Sequence, residues 1–165
     1  MFEKGYVIKG KHATYMRFLS ATTEKLNKEA KVAAVFRYNV DIYTVAPLIG
    51  VIYNLRADED KASDDDLSIF AEAIINNQEN LTYIYRLVML SENSLGLTNE
   101  QKIDRAFKDD EEPEKLAKNM ELFHQYMRGG VEWLYCQFTE GATTKDDYFT
   151  KIQEVVENFK LDFSL

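Results

Sequence analysis

The sequence predicts an all-α protein, a single-domain bundle of six or seven helices over residues 1–165. Glycine and proline are scarce, at 7 and 2 residues, and such a composition favours long regular elements over a loop-rich β fold. Hydrophobic residues make up 45% of the chain, which is too many for a disordered protein. Residues 40–55 are almost wholly apolar. Because a bilayer span needs roughly 20 apolar residues, we interpret this shorter stretch as a central core helix.

The N-terminal part predicts one short strand and a first helix. Apolar residues alternate over residues 6–9, between two glycines, and this pattern indicates a brief strand. Apolar spacing at threes and fours predicts a helix over residues 11–22. Residues 31–37 fit either a strand or a helix. A strand there would pair with residues 6–9 and form a minor two-stranded element near the N-terminus.

The core helix carries its own start signal and two unusual interior residues. Asn39 is a plausible N-cap, and Asp41 suits the positive end of the helix. Pro47 lies inside the helix, where a proline removes a hydrogen bond at a cost of about 3 kcal/mol. Gly50 follows and allows a neighbouring backbone to approach closely. We expect either a kinked helix or two short helices that meet at Pro47.

Helical periodicity accounts for most of the chain after the core helix. Residues 56–66 form a polar, acidic connector. Capping boxes indicate where two later helices begin, at Thr98 with Gln101 and at Thr144 with Asp147. The predicted helices cover residues 67–77, 79–91, 98–107 and 114–138, followed by a last helix that starts at Thr144.

Two adjacent glycines, Gly129 and Gly130, lie beside the chain's only tryptophan, Trp133, in the longest predicted helix. Glycine lowers helix propensity, so we expect a kink or a break there. The three residues are compatible with a hinge, a close helix crossing or a binding notch. Helix packing is the default interpretation, and we name them as candidate hinge or interface residues.

Charge is unevenly distributed along the chain. Residues 1–37 hold eight basic and three acidic residues, a net charge of +5, although the whole chain carries −8. Such asymmetry marks either a surface for an anionic partner or an intramolecular match between the basic end and the acidic remainder. The basic residues are spread out, which favours the intramolecular match.

The basic N-terminal segment also contains interleaved aromatic residues. Lys9, Lys11 and Arg17 alternate with tyrosine and phenylalanine, a pattern that serves nucleic-acid backbones and bases. A sequence pI near 4.9 argues against an independent DNA-binding protein, because phosphate contacts dominate such affinity. Nucleic-acid or partner binding through Lys9, Lys11 and Arg17 is therefore kept as an alternative.

The sequence predicts no metal site. Glu121 and His124 match the Glu-x-x-His spacing of di-iron bundles, but those sites need a second such motif and two further glutamates. The only other histidine, His12, has no ligand at the matching position. In the acidic connector, Ser63 stands where a calcium loop needs glycine, and Ile69 stands where it needs glutamate.

The sequence predicts no enzyme and no cofactor. There is neither a phosphate-binding glycine loop nor a nucleophile with a histidine partner. The single cysteine, Cys136, cannot form an intrachain disulfide. Its apolar neighbours predict a small core residue, with a reactive thiol as the alternative. The N-terminus shows no secretory pattern, so we expect a cytoplasmic protein that does not enter the membrane.

The segment Asp41-Ile-Tyr-Thr-Val-Ala-Pro-Leu-Ile-Gly50 resembles a small group of bacterial proteins associated with Dnd-type DNA phosphorothioation and restriction systems. Those proteins carry a comparable aspartate-led apolar helix that ends in Ala-x-x-x-Gly and precedes an acidic loop. The resemblance covers about one quarter of the chain, and Pro47 departs from the pattern. It implies an accessory role in a DNA-defence complex, with no catalytic residues to transfer.

Taken together, these observations predict a non-enzymatic helical interaction or accessory protein. We expect a protein partner or a homo-oligomer, and the resemblance places the chain in a bacterial DNA-defence complex. The alternative is a nucleic-acid-associated factor that uses the basic N-terminal segment. Partner identity, oligomeric state and pathway do not follow from the sequence.

Overall fold

Seven α-helices and one two-stranded ribbon make up the part of the chain that the computed structural model describes, residues 1–20, 35–142 and 144–162. The all-α prediction is confirmed, including the minor two-stranded element. A short 3-10 turn at Asp109–Glu111 precedes the longest helix. In chain order the elements are β1 (Tyr6–Lys9), α1 (Lys11–Leu19), α2 (Asn39–Ile52), β2 (Asp66–Ile69), α3 (Ala71–Asn76), α4 (Gln78–Ser91), α5 (Asn99–Phe107), α6 (Pro113–Thr139) and α7 (Lys145–Asp162).

The ribbon pairs β1 with β2, in antiparallel register from Tyr6 opposite Ile69 to Lys9 opposite Asp66. The predicted partner, residues 31–37, is therefore wrong for the described part of that segment, since Phe36 bridges to Ser20 instead. Residues 31–34 lie outside the described residues. The predicted helix over 67–77 is also wrong at its start, because residues 67–69 belong to β2 and α3 begins at Ala71. Burial in β2 alternates with period two and ends in the buried Ile69, as in a half-buried strand.

The core is built around the crossing of α2 and α6. Glycines at this crossing bring the two backbones into direct contact. A Cβ atom on Gly130 would lie 1.9 Å from the carbonyl oxygen of Ala46, and one on Gly50 would lie 2.0 Å from that of Tyr126. Helix α6 runs unbroken through Gly129 and Gly130. The predicted break is therefore wrong, and the glycines allow close packing against neighbouring backbone.

Helix α2 is a single helix that contains Pro47, so the alternative of two short helices is wrong. Its N-cap is Tyr38, and the predicted cap, Asn39, is instead the first helical residue. The Asp41 carboxylate accepts the main-chain N–H of Tyr38 at 2.9 Å. The acidic side chain at the third helical position therefore caps a free main-chain N–H at the start of the helix, the role that was predicted for the asparagine.

Both predicted capping boxes are confirmed. The main-chain N–H of Thr98 donates to Gln101 Oε1 at 2.9 Å, and that of Gln101 donates to Thr98 Oγ1 at 3.2 Å. The N–H of Thr144 donates to Asp147 Oδ2 at 2.7 Å, and that of Asp147 donates to Thr144 Oγ1 at 3.3 Å. These local signals need no tertiary contact, which is why the sequence predicts them well.

Cys136 is exposed, so the prediction of a core residue is wrong. The buried stripe of α6 passes through Val131, Leu134 and Phe138. Cys136 lies two residues from Leu134 and two from Phe138, on a different face of the helix. Its apolar neighbours in the sequence therefore point to the core, whereas the Cys136 side chain points to solvent.

Candidate partner-binding groove

A groove of about 590 Å³ lies along one edge of β2. All five residues from 66 to 70 line it, whereas no residue of β1 does. Since β1 covers one edge of β2, the groove follows the opposite edge. Tyr38, Asn39 and Val40, at the start of α2, form a second wall, and α3 contributes Ala73. We call this space the ribbon groove.

Two aromatic side chains at the ribbon groove are exposed to an extent that is unusual for their size. Phe70 is 76% exposed and Tyr38 is 48% exposed. The guanidinium carbon of Arg37 lies 5.1 Å from the centre of the Tyr38 ring, within cation–π range. Exposed aromatic residues beside a concave surface are typical of binding sites, where they act as anchors.

Main-chain groups of β2 point into the ribbon groove. The N–H of Gly10 donates to the carbonyl of Asp65 at 2.8 Å. Since hydrogen-bonded pairs alternate along an antiparallel ladder, Leu67 and Ile69 bond towards β1, whereas Asp66 and Ser68 direct their groups to the open edge. The Arg17 guanidinium donates to the carbonyl of Asp66. The N–H and C=O of Ser68 have no partner among the described residues.

Asn39 adds an unpaired acceptor to the same groove. Its Oδ1 atom is buried and has no hydrogen-bond partner in the described part of the chain. The neighbouring Asn77 directs its amide nitrogen to the carbonyl of Ala73, at 2.8 Å, and not to Asn39. Buried polar atoms are nearly always paired, so this oxygen is an acceptor that a donor entering the groove could satisfy.

The end of the ribbon groove near Asp66 is acidic. Arg17 Nη1 lies 2.6 Å from Asp65 Oδ1, and this hydrogen bond lowers the pKa of the Asp65 carboxyl. Asp64 and Asp66 are exposed, and neither takes part in an ion pair within the described ranges. Asp66 lines the ribbon groove, whereas Asp64 borders a neighbouring pocket together with Lys9 and Lys61. The groove therefore ends beside the exposed carboxylate of Asp66.

The three basic residues predicted from the sequence all pair with acidic residues of the same chain. Lys9 Nζ lies 3.9 Å from Glu59, and Lys11 Nζ lies 2.9 Å from Glu132. Arg17 binds Asp65, as described above. The structure thus places all three in intramolecular ion pairs, the arrangement that the charge distribution favours. They do not converge on one free basic surface.

Gly129, Gly130 and Trp133 lie away from the ribbon groove. A Cβ atom on Gly129 would lie 2.1 Å from the carbonyl oxygen of Leu55, in the loop after α2, so both glycines allow close contact with neighbouring backbone. The Trp133 ring stacks on Tyr53, with ring centres 5.2 Å apart. Trp133 also borders a cleft of about 330 Å³ beside α7. Of the three alternatives, a close helix crossing describes the position of Gly130, whereas Gly129 packs against the loop that follows α2.

His124 lies in a cluster of aromatic rings beside a second cavity, of about 320 Å³. Its Nε2 is 2.8 Å from the Tyr43 hydroxyl, and its ring stacks on Tyr6 at 4.0 Å. Burial, aided by the nearby Arg128 charge, lowers the pKa of His124 to about 3. Burial raises the pKa of Tyr43, so its hydroxyl donates to a neutral imidazole.

Glu121, which shares the di-iron-like spacing with His124, pairs with the buried Arg128, whose Nη2 lies 2.6 Å from its Oε1. Within residues 1–20, 35–142 and 144–162, no group of three or more His, Cys, Asp or Glu side chains is arranged to hold a metal ion.

Sequence reasoning missed Tyr38, Ser68 and Phe70 as candidate functional residues. The alternation from Leu67 to Ile69 is a strand signal, and Phe70 breaks it by adding an apolar residue on the outer side. Period-two alternation followed by an out-of-phase aromatic residue is the signal that could have identified this edge.

The described helices contain none that is both long and apolar enough to cross a membrane. No family model matches the chain, and no curated protein or solved structure matches it either.

Proposed function

We propose that this chain is a non-enzymatic helical interaction protein that holds a segment of a protein partner in the ribbon groove. One observation carries the proposal: an apolar groove beside an open strand edge, with Phe70 and Tyr38 exposed at it. The groove volume lies within the roughly 300–1,000 Å³ common for binding pockets. Its extension along five consecutive strand residues suits a polypeptide segment.

The resemblance of residues 41–50 supports a setting for this interaction. We propose that the chain is an accessory subunit of a bacterial DNA-defence complex in the cytoplasm. A homo-oligomer is the other form of the same prediction, and sedimentation of the purified chain distinguishes the two.

Phe70→Glu is expected to reduce recovery of the partner by about tenfold or more, because a carboxylate replaces an aromatic anchor. The tagged chain is purified from its native host with nuclease, and bound proteins are quantified by mass spectrometry. The matched control is Tyr83→Glu, which changes an aromatic residue that is 63% exposed on α4. Equal recovery by the wild-type chain and Phe70→Glu would contradict the proposal.

The nucleic-acid alternative has its own test. Lys9 and Lys11 already pair with Glu59 and Glu132. We therefore expect no salt-sensitive binding of a labelled DNA duplex to the chain. Fluorescence anisotropy measures this for the wild-type chain and for the double variant Lys9→Gln, Lys11→Gln. Salt-dependent binding that the double variant loses would instead support the alternative.

A further inference from the structure

We infer that the partner enters the ribbon groove as an extended strand that adds to the open edge of β2. This inference rests on the proposed function and specifies how the partner is held. Strand addition requires main-chain hydrogen-bonding groups that face the groove and walls that accept every second side chain of the partner. It also requires a feature of the groove that selects the direction or the charge of the partner segment. The groove offers all three.

The hydrogen-bonding groups are concentrated at Ser68. Its N–H and C=O both face the groove and have no partner among the described residues. Phe70 continues the extended backbone, with φ −66° and ψ 148°, so its N–H faces the same way. Its carbonyl accepts the N–H of Ile74 at 3.2 Å, and that of Asp66 accepts Arg17. The edge therefore offers one full pairing position and one further donor.

The two occupied carbonyls set the length of the partner segment. Arg17 closes the edge at Asp66, and α3 closes it after Phe70. The strand between them rises about 3.3 Å per residue, so four or five partner residues span the edge. Side chains of an added strand alternate between two faces, which predicts apolar residues at every second position against Val40 and Leu67.

The charge at one end of the groove predicts the kind of residue at one end of the partner segment. The exposed carboxylate of Asp66 lies at one end of the groove and takes part in no ion pair among the described residues, which predicts a lysine or arginine at the adjacent end of the partner. The whole chain carries −8, so a second copy would approach this end against like charge. We therefore commit to a segment of a different protein, with alternating apolar residues and a terminal basic residue.

Ser68→Pro tests the strand pairing directly. Proline removes the N–H that faces the groove, whereas the ladder to β1 uses Leu67 and Ile69 and stays intact. Proline is tolerated on an open strand edge. The matched control is Val7→Pro, because Val7 lies opposite Ser68 and its N–H faces the other edge of the ribbon.

The probe is a random dodecapeptide library displayed on phage, selected against the wild-type chain. The most enriched peptide is then synthesised for titration. We expect enriched sequences with alternating apolar residues and a basic residue at one end. Affinity should fall about tenfold for Ser68→Pro and less than about twofold for Val7→Pro. Should Ser68→Pro fail to fold, amide hydrogen exchange of the wild-type chain replaces it, and the Ser68 amide becomes protected when the peptide binds.

Several results would overturn the inference. The selected peptides could carry apolar residues at helical spacing, or the library could yield no enriched peptide. Ser68→Pro could bind the peptide as tightly as the wild-type chain does, or the Ser68 amide could stay unprotected when the peptide binds. Self-association that Ser68→Pro abolishes would identify a second copy as the occupant and would also overturn it. If Phe70→Glu loses the natural partner and Ser68→Pro retains it, the proposed function stands and strand addition fails. If both retain the partner, both fail.

Discussion

Replacing Gly130 by alanine is expected to lower the free energy of unfolding by about 2 kcal/mol. The new Cβ atom would lie 1.9 Å from the Ala46 carbonyl oxygen, a main-chain atom that no rotamer change can move. Overpacking of this kind costs about 1–3 kcal/mol, and alanine recovers about 1 kcal/mol of helix propensity. The steric term belongs at the top of its range because two backbones must separate. Urea unfolding followed by circular dichroism measures the difference.

The control for Gly130→Ala is Ala117→Leu, which adds a larger side chain at an exposed position of the same helix. Its stability should stay within about 0.5 kcal/mol of the wild type. A Gly130→Ala protein as stable as the wild type would show that α2 and α6 do not need direct backbone contact. Gly50→Ala, across the same crossing, should destabilise the chain in the same direction.

Acidification from pH 8 to pH 5 is expected to cost about 2 kcal/mol of stability through His124. Its folded-state pKa is about 3, below the ordinary value of about 6.5. The unfolded chain therefore binds a proton that the folded chain excludes, and stability falls as the pH drops from about 6.5 towards 3. The buried His12, whose pKa is lowered by burial despite its hydrogen bond to Glu132, adds a loss of the same sign.

The variant His124→Gln isolates this contribution. Glutamine does not titrate and can accept the Tyr43 hydroxyl, although it loses the stacking on Tyr6. The informative quantity is therefore the change in unfolding free energy between pH 8 and pH 5, and not its absolute value. That change should shrink by about 2 kcal/mol in the variant. An unaltered pH dependence would mean that the pKa of His124 is not lowered in the folded chain.

Local signals made much of the fold predictable. The capping boxes at Thr98 and Thr144 depend on neighbours three residues away, and the apolar stripes depend on a single helix. Predictions failed where tertiary contacts decide. Gly129 and Gly130 predict a break in isolation, but opposite Ala46 and Leu55 they become contact points that leave the helix continuous.

The ribbon groove was beyond sequence reasoning for a related reason. Tyr38 and Phe70 are far apart in the chain and meet only because β2 lies beside the start of α2. Residues 67–77 contain enough apolar residues at helical spacing to predict a helix, and this prediction conceals both the strand and its open edge. The charge asymmetry favours a match between the basic end and the acidic remainder of the chain, but only the structure shows which residues pair, for example Arg17 with Asp65.

The short edge of β2, closed at both ends, also bears on the tendency of this protein to aggregate at high concentration. An unpaired strand edge usually invites uncontrolled association into extended sheets. Here Arg17 occupies one end, α3 terminates the other, and Lys9 places a charge on the opposite strand of the ribbon. Among the described residues of this edge, Ser68 alone offers both of its main-chain groups, and so short an edge limits pairing with further strands. The fold thus exposes the main-chain groups of a very short strand edge, and a longer edge would bring a greater aggregation hazard.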